Sequence, residues 1–220
     1  QERIAFMKIL RSFVQLVGVA AGFIAYSSAE LALIRSEATW GAYGAIGALV
    51  FVFSALIAAL MVCYRHFYRQ QPALAVAHPS SVIWQGIVLL FLIQLITVTL
   101  TQVMHAPQAA NQSNLLDLVK NYPWSIKLLA VVGGPIVEEY LFRGFLMNSF
   151  GSLKRRSWQW VSVLISAAVF GFAHVAGKVD YNFFIYAALG GVLAWTYLRT
   201  RDMRYSIGLH MLNNATILLV

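Results

Sequence analysis

Charged side chains are scarce in this chain of 220 residues, because Asp, Glu, Lys and Arg make up only 11% of it. An ordinary soluble domain has about 25%. Together with a hydrophobic fraction of 60%, this deficit rules out a soluble globular protein. A formal net charge of +8 would suggest a nucleic-acid partner in a soluble chain. Here the basic residues lie between long apolar runs, so we expect a lipid bilayer as the partner and no nucleic acid.

Cysteine is nearly absent as well. The single thiol, Cys63, cannot form an intramolecular disulfide, and it excludes a metal cage built from cysteines. The sequence also lacks an H-E-x-x-H motif, an internal repeat and a polar stretch long enough for a soluble domain. We therefore expect one integral membrane domain over residues 1–220, with its chemistry inside the apolar segments.

The apolar runs are long enough for membrane helices. A helix needs about 20 apolar residues to cross a hydrocarbon core of about 30 Å. The composition predicts an all-α, polytopic transmembrane helical bundle of about seven or eight spans. Because the chain starts with Gln and stops inside an apolar run, we expect trimmed ends. Seven runs are readable: Ser12–Ile34, Ala42–Tyr64, Val82–Val103, Trp124–Phe150, Trp158–Ala176, Tyr181–Leu198 and Tyr205–Val220.

The distribution of Lys and Arg predicts the orientation. Cytoplasmic loops retain an excess of these residues, and eleven of the sixteen fall in one alternate set of loops, which includes the N-terminus. The sequence therefore predicts a multi-pass protein with a cytoplasmic N-terminus.

A few polar side chains lie where a lipid environment makes them costly. Ionisable groups at membrane depth are by default candidates for function. The candidates are Glu138, Glu139, Arg143, His174, His210, Asn213 and Asn214.

Helical spacing separates the two neighbouring carboxylates. Glu139 and Arg143 are four residues apart and share a helix face, so we predict a buried ion pair. Glu138 points away from that pair, and it is either neutral and hydrogen-bonded to another helix or held as a general base. We expect Gly133, Gly134 and Pro135 to break or kink this helix and to open the backbone beside the carboxylates.

Two histidines, a carboxylate and an amide on three helices are the parts needed to hydrolyse an amide bond. Glu138, His174 and His210 could equally be zinc ligands, since two histidines and a glutamate form the ligand set of hydrolytic zinc enzymes. A helical H-E-x-x-H would favour zinc, and it is missing. A proton-coupled transporter also fits a buried acid with histidines, although two similar halves with broken helices are not found.

Three motifs occur in order on three apolar segments. Glu138 to Arg143 fits E-E-x-x-x-R, Phe170 to His174 fits F-x-x-x-H, and His210 to Asn214 fits H-x-x-x-N. In this order they resemble the CPBP family, which comprises CAAX prenyl protease and bacteriocin-processing or immunity membrane proteins and is also called the Abi family. The resemblance covers residues 131–220, the motif-bearing core.

The resemblance implies an intramembrane endopeptidase that is glutamate-dependent rather than zinc-dependent, and therefore has no cofactor. Glu138 would activate water together with His174. His210 and Asn214 would stabilise the developing oxyanion. The residues that would shape the site are Glu139, Arg143 and Phe170.

The resemblance also implies the class of substrate, a membrane-anchored or lipid-modified (CAAX-like, prenylated) protein or peptide, in which a peptide bond is hydrolysed. The site would be a water-filled cavity within the bilayer, opening to the cytoplasm. The alternatives are a zinc-dependent form of the same protease and a non-catalytic bacteriocin-immunity or binding membrane protein.

Overall fold

The computed structural model describes residues 2–68, 78–103, 105, 116–120, 123–149, 155–175 and 179–217, and every regular element in these ranges is helical. The protein is an all-α membrane helical bundle, as the composition predicts. A single helical turn lies at 116–120. The longer helices are α1 (Glu2–Tyr68), α2 (Pro79–Gln102), α3 (123–149), α4 (Arg156–His174), α5 (Tyr181–Thr200) and α6 (Met203–Ile217).

Helix α1 consists of two arms that meet at Gly41. This glycine has φ 73° and ψ 168°, a backbone conformation that side chains with a Cβ rarely adopt. The arms cover residues 2–40 and 42–68, so the described part of each of the seven predicted runs falls within a helix apart from Val103 and Val175, which directly follow helix ends. Two stretches, Tyr43–His66 and Pro79–Gln102, are long and apolar enough to cross a membrane on length and composition.

Helix α3 carries both glutamates and alternates between α-helical and π-helical hydrogen bonding. The helix does not break at 133–135, where the chain stays helical, but its hydrogen bonding changes from π-helical to α-helical at Gly134. A π-helical segment precedes Pro135 and widens the turn just before it, where the missing proline N–H would otherwise disrupt the helix. The segments are Pro123–Leu128, π-helical Leu129–Gly133, Gly134–Glu139, π-helical Tyr140–Leu146, and Met147–Ser149.

Both arms of α1 pack against α3 at a pair of glycines. A Cβ atom at Gly133 would lie 2.9 Å from Phe53, and one at Gly134 would lie 2.9 Å from the hydroxyl of Tyr26. The two glycines therefore permit a close approach of α1 to the helix that carries the carboxylates. Tyr26 and Phe53 also belong to a buried apolar cluster with Leu129, Val137 and Leu141 of α3.

Helices α4 and α5 approach each other equally closely. A Cβ atom at Gly171 would lie 2.9 Å from the carbonyl oxygen of Phe183 and 3.0 Å from the amide nitrogen of Ala187. Helix α6 packs on α5 and α2 through a buried cluster that includes Leu209, Leu193 and Leu90. These contacts bring α3, α4 and α6 together at the level of the predicted site residues.

Candidate active site

The carboxylate of Glu138 lies opposite two imidazole rings. Its Oε2 atom is 3.7 Å from Nε2 of His174 and 3.8 Å from Nε2 of His210. The side chains of Glu138 and His174 keep 13% and 15% of their surface exposed, whereas Oε2 of Glu138 itself is buried and has no hydrogen-bond partner among the described residues. Three of the predicted site residues, from three different helices, are thus brought together.

A backbone carbonyl fixes the tautomer of His174. Nδ1 lies 2.8 Å from the carbonyl oxygen of Phe170, one turn earlier. Since a carbonyl only accepts, Nδ1 must carry the proton, and Nε2 of the neutral ring presents its lone pair toward Glu138. The ring is stacked between Phe170, with centroids 4.2 Å apart, and Tyr186, at 4.9 Å. The imidazole is therefore fixed in both orientation and tautomer.

His210 is held by the other glutamate. Its Nδ1 lies 3.0 Å from Oε1 of Glu139. When Nδ1 donates to this carboxylate, Nε2 can donate toward Glu138 only in the imidazolium form. His210 is almost completely buried, and its ring meets Phe170 edge to face at 5.6 Å. The two histidines thus differ in the group that Nδ1 contacts, a backbone carbonyl for His174 and a carboxylate for His210. They also differ in the exposed fraction of the side chain.

Glu139 and Arg143 form a buried ion pair, as their spacing predicts. Nη1 of Arg143 lies 3.0 Å from Oε1 of Glu139, and both side chains are 0% exposed. Nη2 donates to the carbonyl oxygen of Gly190 at 2.9 Å. The guanidinium carbon also lies 4.7 Å from the ring centroid of Phe170, a favourable position for a cation over an aromatic face. The pair ties α3 to α5 beneath the more exposed Glu138.

Asn214 contacts the backbone of α3. Its Nδ2 donates to the carbonyl oxygen of Ala130 at 2.8 Å, and its Oδ1 accepts a hydrogen bond from Asn213. Asn213 in turn accepts a hydrogen bond from Gln94 of α2. One N–H of Asn214 is therefore already bonded to the π-helical segment. To act as an oxyanion donor, as predicted, Asn214 would have to use its other N–H.

Three residues of the site escaped the sequence reasoning. The hydroxyl of Tyr26 donates to Oε1 of Glu138 at 3.3 Å, Tyr186 covers His174, and Gly190 provides the carbonyl that binds Arg143. The sequence assigns none of these three residues to the site. The apolar runs contain other tyrosines and glycines, so nothing in the sequence marks these residues as part of a site.

The donor set of Glu138, His174 and His210 is of the kind that zinc binds. Across the described residues, however, no group of three or more His, Cys, Asp or Glu side chains is arranged to hold a metal ion. The steps proposed below are therefore assigned to the side chains of this chain alone.

Fold and site together define a helical membrane protein with a carboxylate and two imidazoles at its centre. Residues 120–216 match the family described as "Type II CAAX prenyl endopeptidase Rce1-like". This match supports the CPBP family, which the three motifs predict, over the part of the chain that carries them.

Two curated proteins are similar over part of their length. The chain is 29% identical over 113 residues to "Putative membrane peptidase YdiL" of Bacillus subtilis (strain 168), which covers 51% of this chain and 43% of that protein. It is 26% identical over 140 residues to "Membrane-embedded CAAX protease MroQ" of Staphylococcus aureus (strain USA300), covering 61% and 55%. The chain spans about half the length of these relatives. No solved structure matches the chain significantly.

Proposed function

We propose that this protein is an intramembrane endopeptidase in which Glu138 and His174 activate a water molecule. The observation that carries the proposal is the 3.7 Å separation between Oε2 of Glu138 and Nε2 of His174. This distance is too long for a direct hydrogen bond, and a bridging water spans such a gap. Both atoms accept hydrogen bonds, so a water between them would donate one hydrogen to each.

The chemistry would proceed by addition and elimination. The bridging water attacks the carbonyl carbon of the scissile peptide bond while one of its protons passes to the carboxylate of Glu138. The carbonyl oxygen becomes an oxyanion. When the C–N bond breaks, Glu138 returns the proton to the departing amine, so the enzyme regains its starting form.

The second histidine would stabilise the oxyanion. Glu139 holds Nδ1 of His210 and fixes the orientation of the ring, so that Nε2, when it carries a proton, can donate to the oxyanion. The N–H of Asn214 that does not bind Ala130 would be the second donor. Glu139, Arg143 and Phe170 would keep these groups in place.

The proposed substrate is a membrane-anchored or prenylated protein or peptide. The names of the two relatives, a membrane peptidase and a CAAX protease, support this class. We further propose a single multi-pass domain with a cytoplasmic N-terminus. Reagent accessibility of single cysteines introduced into alternate loops, in a Cys63→Ala background, tests this orientation.

The decisive experiment uses the purified chain in lipid vesicles. The substrates are a fluorogenic peptide with an S-farnesyl cysteine before a C-terminal tripeptide and the same peptide without the farnesyl group. We expect wild type to cleave at least one of them, and Glu138→Gln and His174→Ala to abolish cleavage without changing the melting temperature. The exposed Asp117 offers a matched control, since Asp117→Asn should remain fully active. Normal turnover by Glu138→Gln or His174→Ala rejects the proposal.

Two alternatives have their own tests. If zinc bound by Glu138, His174 and His210 drives the reaction, active protein contains stoichiometric zinc and chelation abolishes its activity. Full activity with substoichiometric metal leaves zinc no role. If the protein is a non-catalytic immunity protein, Glu138→Gln should still protect cells from a peptide toxin, because the fully buried Glu139–Arg143 pair would hold the helices together in either case.

A further inference from the structure

Tyr26 approaches the active site from a part of the chain with no motif. It lies on the first arm of α1, outside the family match at 120–216, and 112 residues before the glutamate that it contacts. It is 5% exposed. Its hydroxyl donates to Oε1 of Glu138 at 3.3 Å. Tyr26 contacts Oε1 of Glu138, whereas Oε2 faces the two histidines. The hydrogen bond from Tyr26 therefore leaves Oε2 available on the side of the histidines.

The ring of Tyr26 is fixed by its surroundings. It meets Phe53 of the second arm edge to face, with centroids 5.9 Å apart, and Phe23 at 6.2 Å. These contacts involve only the ring. Removing the hydroxyl therefore leaves the packing of the side chain intact, and the contribution of the hydrogen bond can be measured separately.

Gly134 creates the space that the hydroxyl occupies. A Cβ atom at this position would lie 2.9 Å from Oη of Tyr26, 3.2 Å from the carbonyl oxygen of Leu129 and 3.6 Å from Oε1 of Glu138. An alanine would push the hydroxyl away from the carboxylate. The sequence interpretation took this glycine for a helix breaker, whereas the structure shows it at the point where Tyr26 reaches α3.

We propose that Tyr26 is a positioning residue for the general base, and that Gly134 is a glycine so that the hydroxyl can reach Glu138. The inference rests on the proposed function of Glu138. Tyr26 holds Oε1 so that Oε2 points at the water shared with His174. A hydrogen bond that is long in the resting enzyme can tighten as the substrate complex forms, and a small misplacement of a catalytic group is costly to the rate.

The test is a double-mutant cycle with the farnesylated and unmodified peptides in vesicles. We expect Tyr26→Phe to lower kcat about tenfold, in line with loss of one hydrogen bond to a charged group, while KM and the melting temperature stay close to wild type. The control is Tyr64→Phe, which removes a hydroxyl from the same helix that is hydrogen-bonded to Tyr197 at 2.9 Å. The control should keep the kcat of wild type.

Gly134→Ala should lower kcat as much as Tyr26→Phe, and the double variant should be no slower than either single variant, since both changes remove the same contact. A purely structural role would give additive losses or a fall in the melting temperature in place of a loss of kcat. Wild-type kcat in Tyr26→Phe, or fully additive losses, overturns the inference even when Glu138→Gln is inactive. Absence of cleavage by wild type overturns the proposed function and this inference with it.

Discussion

The side chain of Asn214 donates a hydrogen bond to the carbonyl oxygen of Ala130, 2.8 Å away on another helix. In the π-helical segment Leu129–Gly133, the N–H of Gly134 bonds to the carbonyl five residues back. The next such bond would run from residue 135 to Ala130, but Pro135 has no N–H. Asn214 therefore provides the donor that the proline cannot, and joins α6 to α3 one turn from His210.

Replacing Asn214 with leucine should lower the free energy of unfolding by about 1–3 kcal/mol, because a carbonyl with little access to water would lose its partner. Unfolding of the purified protein in detergent, followed by circular dichroism, measures this change. Catalytic activity should fall as well, since Asn214 is the second oxyanion donor of the proposed mechanism and joins the helix of His210 to α3.

Pro135→Ala tests the cause of that loss. It restores an N–H that can bond to a carbonyl four or five residues back. In the Pro135→Ala background, Asn214→Leu should therefore be less destabilising than in wild type. Strictly additive changes in unfolding free energy would show that Asn214 does not substitute for the missing backbone donor.

Arg143→Met should be strongly destabilising, by about 3–5 kcal/mol, because it leaves the buried carboxylate of Glu139 without its counter-ion. Arg143→Lys should restore little of this, because an ammonium lacks the planar fork that binds Glu139 and the carbonyl of Gly190 at the same time. The yield of folded protein and its detergent unfolding curve report both effects.

The ion pair between the exposed Arg204 and the partly buried Asp202, with a separation of 2.6 Å, provides the comparison. Arg204→Met should not change the unfolding curve measurably, since exposed ion pairs contribute little. If Arg143→Met had the same free energy of unfolding as Arg204→Met, the Glu139–Arg143 pair would not stabilise the site as described above.

Asp180 should contribute to stability without contributing to catalysis. Its side chain caps α5 by accepting hydrogen bonds from the backbone N–H groups of Asn182 at 2.8 Å and Phe183 at 3.3 Å. Asp180→Ala should lower the free energy of unfolding by about 0.5–2 kcal/mol, and kcat should not change. Asp180→Asn keeps a capping oxygen and should stay close to wild type, so equal losses in the two variants would contradict a capping role.

The sequence was sufficient to predict the helices and much of the site because polar residues stand out in apolar runs. Four-residue spacing predicted the contact between Glu139 and Arg143, whereas helical geometry did not predict that both neighbouring glutamates would lie against His210. The roles of Glu138, His174 and His210 in catalysis stay predictions, although the structure places these side chains together.

The other features of the site depend on contacts between distant parts of the chain, which produce no recognisable pattern in the local sequence. Tyr26 meets Glu138 only because two distant helices pack against each other, and the acceptor of Asn214 is a backbone oxygen whose availability depends on hydrogen bonding within α3. The Gly-Gly-Pro run at 133–135 predicted a break or a kink because propensities describe an isolated helix. In the bundle, a π-helical turn and close packing of α1 keep the helix continuous.

The neighbouring glycines Gly190 and Gly191 of α5 permit a test of how the site is packed. A Cβ atom at Gly190 would lie 3.0 Å from both Cβ and Cδ1 of Phe170, whereas one at Gly191 would have its nearest neighbour, Ala167, at 3.8 Å. Phe170 cannot retreat easily, because its ring stacks on His174 and meets His210 edge to face. Gly190→Ala should therefore displace His174 from Glu138.

We expect Gly190→Ala to lower the free energy of unfolding by about 1–3 kcal/mol, as overpacking of a buried contact does, and to reduce kcat. Gly191→Ala should keep kcat and increase stability by about 0.5–1 kcal/mol, the usual gain of alanine over glycine within a helix. Peptide cleavage and detergent unfolding of the two variants, measured side by side, check both expectations. Equal effects at the two positions would mean that Phe170 can move without disturbing His174, and that the stacked imidazole is not held by the packing of α5.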